Sequence, residues 1–203
     1  MFNIGIVDYG MGNLKSVSNA LLSLDYSHSL VNTPEDLGNY DKLILPGVGA
    51  FSHAIDNLHQ SGMYQALNEY YKSGKYILGI CLGMQLICRD SAEDGQHSGL
   101  NWVSASVKRF PDMAGFKIPH MGWNAIEIQR DDPIFNEVET GADVYFVHSY
   151  YVDCDNDDDI LALTEHSARF VSIVRKDNVY GMQFHPEKSQ HVGIQLIKNF
   201  LLL

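Results

Sequence analysis

Three times in the first half of the chain, a short, mostly apolar segment runs into a glycine-bearing turn and then into a stretch with apolar residues at helical spacing. The first unit is Phe2 to Val7, a Gly-rich turn, and Leu14, Val17, Leu21 and Leu24 behind Asn13 as an N-cap. The second is Lys42 to Leu45, the turn Pro46-Gly47-Val48-Gly49, and an amphipathic segment from Phe51 to Leu58. The third is Tyr76 to Ile80, then Cys81, then Leu82 to Ile87. Strands this continuously apolar bury both faces, which calls for a parallel sheet covered by helices on either side.

Beyond residue 100 the pattern changes. Val103, Ala105 and Val107 alternate with polar residues. Further short strands are expected at Ala125 to Ile128, Val144 to Val147, Ile160 to Thr164, Val171 to Val174 and Val179 to Phe184. Asp177-Asn178 suits a turn between the last two, and Val192, Leu196, Ile197 and Phe200 mark a closing amphipathic helix. The expected fold class is α/β, three-layered, with a mainly parallel central sheet, helices on both faces and an antiparallel extension. No internal repeat or linker interrupts it, so residues 1–203 are expected to form a single domain.

A formal net charge of -11, from 14 Lys+Arg against 25 Asp+Glu, repels phosphate backbones and anionic membrane surfaces, arguing against nucleic acid or membrane as a partner. Cys81, Cys88 and Cys154 are scattered without CxxC spacing, which suggests neither a disulfide framework nor a zinc site and fits a reducing cytoplasm. The apolar run at the N-terminus stops at Asp8, short of a signal peptide or a membrane span.

The strongest chemical signal is Gly79-Ile80-Cys81-Leu82-Gly83, a G-x-C-x-G between an apolar strand and a helical pattern. Cysteine here takes the place of serine in a nucleophile elbow. The flanking glycines permit a sharp turn that exposes the central side chain in a strained conformation, and the following helix start favours a thiolate. A core cysteine beside a glycine turn would satisfy the same five residues. A nucleophile needs a base, and His185 stands out among nine histidines because Pro186 and Glu187 follow it. A residue before proline is pushed to extended geometry, so His185 and Glu187 project to one side and the carboxylate can orient the imidazole.

The segments GICLGMQ around Cys81 and GMQFHPEKS around His185 and Glu187 resemble the two signatures of class I glutamine amidotransferases. Asp8 to Leu14 (DYGMGNL), Pro46 to Phe51 (PGVGAF), Pro119 to Asn124 (PHMGWN) and Phe146 to Tyr150 (FVHSY) resemble the branch that forms the glutaminase subunits of imidazole glycerol phosphate synthase. The resemblance covers essentially the whole chain. It implies that Cys81 attacks the side-chain carbonyl of L-glutamine, that His185 moves protons and that Glu187 holds it. It implies an oxyanion hole from backbone N–H groups of Leu82 and of the Gly47-Val48-Gly49 turn, with Val48 or Gly49 supplying the second donor. Gly47, Gln85, Glu93, Ser149 and Tyr150 are implied in glutamine recognition, although Glu93, in the loop Asp90 to Gly95, also suits a solvated charge.

The implied partner is the cyclase subunit, a (β/α)₈ barrel that uses the ammonia to build imidazole glycerol phosphate and aminoimidazole carboxamide ribotide in histidine biosynthesis, with activity under its allosteric control. Asn13, Pro119, Met121, Trp123 and Lys188 are implied to face it in a heterodimer. On packing grounds alone, His120, Met121 and Trp123 would read as a packed loop. No cofactor or metal is implied. Other readings on the same scaffold are an amidotransferase serving a different ammonia acceptor such as surface-sugar biosynthesis, a catalytically silent binding subunit, or a stand-alone cysteine hydrolase. Gly10-Met11-Gly12 lacks the third glycine of a dinucleotide fingerprint, and the run Asp155 to Asp159 lacks the glycine and glutamate of a calcium loop. Cys88, one heptad after Cys81, reads as core packing.

Overall fold

The computed structural model describes residues 3–203; Phe2, at the start of the expected first strand, lies outside them. Its first half is β1 (Ile4–Val7), α1 (Leu14–Ser23), β2 (His28–Val31), β3 (Lys42–Gly47), α2 (Phe51–Gln60), α3 (Met63–Lys72), β4 (Tyr76–Cys81) and α4 (Leu82–Leu86). Short strands follow: β5 (Cys88–Ser91), β6 (His97–Ser98), β7 (Val103–Arg109), β8 (His120–Ala125), β9 (Glu127–Ile128), β10 (Asp143–His148) and β11 (Tyr150–Cys154). The chain closes with β12 (Ile160–Glu165), β13 (Arg169–Lys176), β14 (Val179–Met182) and α5 (Gln190–Leu202).

The main sheet runs β2-β1-β3-β4-β14-β13-β11-β7-β5-β6. Its first five strands are parallel, and antiparallel pairing begins where β13 meets β14. Alternate residues of a strand point to opposite faces, so a strand buried on both sides feeds two cores. Leu43 and Leu45 of β3 enter one cluster with Phe51, Leu58, Met63 and Leu67 of α2 and α3. Ile44 between them enters the other, with Val17 and Leu21 of α1 and Leu196 and Phe200 of α5. The three-layer arrangement and the antiparallel extension are those expected.

Several boundaries differ from expectation, each for a hydrogen-bonding reason. The helix after Cys81 stops at Leu86, and Cys88 opens a strand. The Leu86 carbonyl accepts from Leu100 N–H and the Ile87 carbonyl from Trp102 and Val103 N–H, so loop and sheet pairing take the acceptors that another helical turn would use. Cys88 is nonetheless fully buried core, as its packing role required. The strand expected over Ala125 to Ile128 divides at buried Ile126, whose N–H donates to the Ala142 carbonyl. Most of PHMGWN is therefore strand, in a separate antiparallel pair of β8 with β10. The strand from Val179 ends at Met182 because His185 N–H leaves the ladder for the Tyr145 carbonyl, at 2.9 Å. Within the acidic run, Asp157–Asp159 form a short 3₁₀ turn in which Asp159 is buried against Lys176.

The register sets the site. Gly47 of β3 lies opposite Cys81 of β4, and Met182 of β14 lies opposite Ile80. The carboxyl ends of three adjacent parallel strands thus deliver the Gly47 turn, Cys81 and the segment leading to His185 to one edge of the sheet, where ligands bind in open parallel sheets.

Candidate active site

Cys81 joins β4 to α4 with φ 53 and ψ -109, a left-handed backbone for a residue with a Cβ, as the G-x-C-x-G pattern predicts. The flanking glycines are required by close approach. A Cβ on Gly83 would lie 1.8 Å from the Leu45 carbonyl oxygen, and one on Gly79 would lie 2.7 Å from the Gly83 backbone. Strand, turn and helix start can stack this tightly only without those side chains.

His185 has an extended backbone, φ -97 and ψ 93. Its Nδ1 donates to Glu187 Oε1 over 2.9 Å, with both side chains nearly inaccessible. Its carbonyl accepts from the Ser189 hydroxyl at 2.6 Å, and the same hydroxyl accepts from Tyr145 N–H, which ties the segment to β10. Burial pulls the imidazole pKa down, but hydrogen bonds and charge interactions with Cys81 and Glu187 overcome it and hold the pKa up at about 9. The structure therefore brings together the three residues singled out as nucleophile, base and orienter.

A cleft of about 310 Å³ opens over Cys81 and His185, lined also by Val48, Gly49, Leu82, Gln85, Glu93, Pro119, Ser149 and Tyr150. Gly49 has φ +104, a conformation that favours glycine in the turn over the cysteine. Glu93 is half-buried rather than a free solvated charge, and its carboxylate accepts from Phe51 N–H at the start of α2 over 2.8 Å. Burial raises its pKa, and the Phe51 bond partly offsets this. Among the residues expected to face a partner, Met121 and Trp123 are 63% and 47% exposed, against the packed-loop alternative, whereas His120 beside them is buried as that alternative has it. Pro119 is exposed at the edge of the cleft and Lys188 is exposed after the Glu187 turn. Asn13 is partly buried and caps α1, its side-chain oxygen accepting from Ser16 N–H at 3.3 Å.

Some polar neighbours escape sequence reading. Gln183, fully buried, directs its amide Nε2 at Cys81 Sγ over 3.9 Å and accepts from Gln85 Nε2 at 3.2 Å; Gln85 also donates to the Tyr150 carbonyl at 3.0 Å. A glutamine two residues before the base, in an otherwise apolar strand end, is the signal that could have found it. His148 lines the cleft, and its ring sits against His120. The hydroxyl of Tyr9 is buried without a hydrogen-bond partner, and Cys81 adds to burial in raising its pKa. These residues converge from separate strands, so no local spacing announces them. Among the described residues no cluster of three or more histidine, cysteine or acidic side chains is placed to hold a metal ion.

The family model for class-I glutamine amidotransferases matches residues 5–203. The chain is 46% identical over 202 residues to the imidazole glycerol phosphate synthase subunit HisH of Syntrophotalea carbinolica, covering 97% of this chain and 98% of that protein. It is 43% identical over 205 residues to the subunit of the same name from Geobacter sulfurreducens, covering 98% of each. By fold it is similar to PurLQS of Thermotoga maritima, with a TM-score of 0.76 at 19% identity over 100% of this chain and 99% of that one. A glutamine amidotransferase from the same organism superposes with a TM-score of 0.65 at 18% identity, over 98% of this chain and 82% of that one. A strained strand-to-helix turn at Cys81, a buried His-Glu pair and these relationships agree, and the chain belongs to the class-I glutamine amidotransferases, in the branch of imidazole glycerol phosphate synthase HisH subunits.

Proposed function

We propose that this chain, acting as one domain, hydrolyses L-glutamine to glutamate through a thioester on Cys81 and hands the ammonia to the cyclase subunit of imidazole glycerol phosphate synthase. The observation that carries the reading is Cys81 in a left-handed turn, sharing one cleft with a buried His185 whose Nδ1 is held by Glu187. In the first half-reaction Sγ adds to the side-chain amide carbon of glutamine. Collapse of the tetrahedral adduct expels ammonia, with His185 giving the leaving nitrogen its proton. In the second, His185 takes a proton from water, whose oxygen adds to the thioester, and glutamate leaves as the thiolate is restored.

The Leu82 N–H is one donor to the oxyanion and the Gly47-Val48-Gly49 turn supplies the other, each worth about 3 kcal/mol in the transition state. Glu93 suits the substrate ammonium, while Ser149, Tyr150 and Gln85 line the remaining wall and Gly47, outside that lining, anchors the turn opposite Cys81. Asn13, Pro119, Met121, Trp123 and Lys188 form the partner face, and docking there raises the glutaminase rate through a coupling free energy. No described helix is long and apolar enough to cross a membrane, which is compatible with a cytoplasmic synthase.

The test is glutamate release by the purified chain, alone and with the histidine-pathway cyclase and its nucleotide ligand. Strong stimulation is expected, and Cys81→Ala should abolish release in the complex without loss of fold. Turnover retained by that variant would sink the nucleophile. A chain unresponsive to this cyclase, yet alkylated at Cys81 by a glutamine analogue, would serve another ammonia acceptor.

A further inference from the structure

His120 opens β8 and His148 closes β10, directly opposite in the register of that strand pair. Both are buried, at 5% and 6% exposure, and His148 lines the cleft over Cys81. Their protons can be placed from their partners. His148 Nδ1 lies 2.7 Å from the Tyr150 carbonyl, which can only accept, so Nδ1 carries the hydrogen. Burial first, and neighbouring histidines further, keep both rings neutral, with His120 pulled down to about 4 and His148 to about 3. Neutral His148 then has a bare Nε2, 3.1 Å from His120 Nδ1, which must donate to it.

One directed string results, from His120 N–H to His148 and from His148 N–H to the Tyr150 carbonyl. That carbonyl also accepts the amide of Gln85, which reaches Gln183 and through it Cys81. At the other end, His120 shares a peptide bond with exposed Met121, and Met121 and Trp123 lie on the opposite face of β8 from His120. The imidazole of His120 is clamped between Phe146 and His166, with ring centres 4.9 and 4.1 Å away, so a shift of β8 moves it bodily.

We propose that His120 and His148 form a positioning dyad that fixes the Tyr150 carbonyl and Gln85, setting the glutamine-binding wall according to how the outer face of β8 is seated. Among the described residues no hydrogen bond joins the dyad directly to Cys81 or His185. It rests on the glutaminase reading, and acts on substrate affinity rather than on thiol reactivity.

The decisive comparison is His120→Phe against His120→Asn in the complete complex with cyclase and nucleotide ligand. Phenylalanine keeps the stacking but loses the donor, leaving His148 Nε2 unpaired. Asparagine keeps an N–H near the place of Nδ1. His120→Phe should raise KM for glutamine about tenfold with kcat changed by less than about threefold, and His120→Asn should return KM to within about threefold of the parent. The rate of Cys81 alkylation by iodoacetamide should stay at the parent value in both. An unchanged KM in His120→Phe, or no rescue by His120→Asn, overturns the dyad, whereas absence of turnover by the parent complex overturns the glutaminase reading itself. Independently of turnover, ¹⁵N spectra of the parent's histidine rings at neutral pH should show Nδ1 protonated and Nε2 bare on both residues. A protonated Nε2 on His148 refutes the string even if a variant fails to fold.

Discussion

A left-handed backbone at a residue bearing a Cβ costs about 1–3 kcal/mol and persists only where its surroundings enforce it. At Cys81 they do so from both sides, since Gly83 packs on the β3 backbone and Gly79 on the α4 start. That device was legible because both glycines and the cysteine fall within five consecutive residues. The His185-Pro186-Glu187 turn was legible for the same reason. Gln183 and His148 were not, because their relation to Cys81 exists only once β14 pairs with β4 and the end of β10 reaches the cleft. The His185 pair also yields a prediction. Glu187 accepts a hydrogen bond from Nδ1–H, so Nε2 is the ring nitrogen left to exchange protons with Cys81 and the substrate. Glu187→Gln keeps the size of the side chain but removes the charge and allows an amide N–H to meet the ring, favouring the wrong tautomer. We expect kcat for glutamate release in the cyclase complex to fall by about 10² to 10⁴, with KM nearly unchanged. A loss below about threefold would mean that Glu187 does not orient the base.

At the scale of elements, recognition followed periodic burial. β3 is buried at every position and was found directly, whereas β2 buries only Val31 and gives no pattern to read. Strand β8 contains a glycine and two exposed large side chains, so it resembled a loop until its pairing with β10 was seen. Helix α3 is the instructive omission. It follows the Ser61-Gly62 turn, where Gly62 has φ 78, and its tyrosines and polar residues dilute a real stripe of Met63, Leu67 and Tyr70 at i, i+4 and i+7. Leu67 is completely buried in the cluster beneath α2 and α3. Leu67→Ala should therefore lower the unfolding free energy by about 3 kcal/mol in urea, from lost transfer energy plus the cavity left behind. If the loss is under about 1 kcal/mol, α3 is not packed against the sheet as described.

For the whole molecule, the three buried histidines bind protons with opposite preferences, which fixes how stability responds to pH. His120 and His148 have folded pKa values of about 4 and about 3, below the ordinary 6.5, so the unfolded chain binds more protons in the window between. His166 and His185 face them and add to the depression, while the Tyr150 carbonyl partly opposes it at His148. Stability must then fall as pH drops from 6.5 toward 4. His185 works the other way: raised to about 9, it binds its proton in the folded state while the unfolded chain has lost it, so stability falls as pH rises from 6.5 toward 9. Lys42, lowered to about 8 by burial, contributes the opposite slope only above pH 8, and the exposed Arg89 ion pairs contribute little at any pH. The thermal midpoint of the isolated chain should accordingly peak near pH 6.5. It should drop on the order of 5 to 10 °C by pH 5 and about 3 to 5 °C by pH 8. Replacing His120 by Phe removes one titrating ring and should flatten the acid limb while leaving the alkaline limb in place. A midpoint that is flat from pH 5 to 8 would show that these rings titrate as freely in the folded protein as in the unfolded chain, against the buried network described.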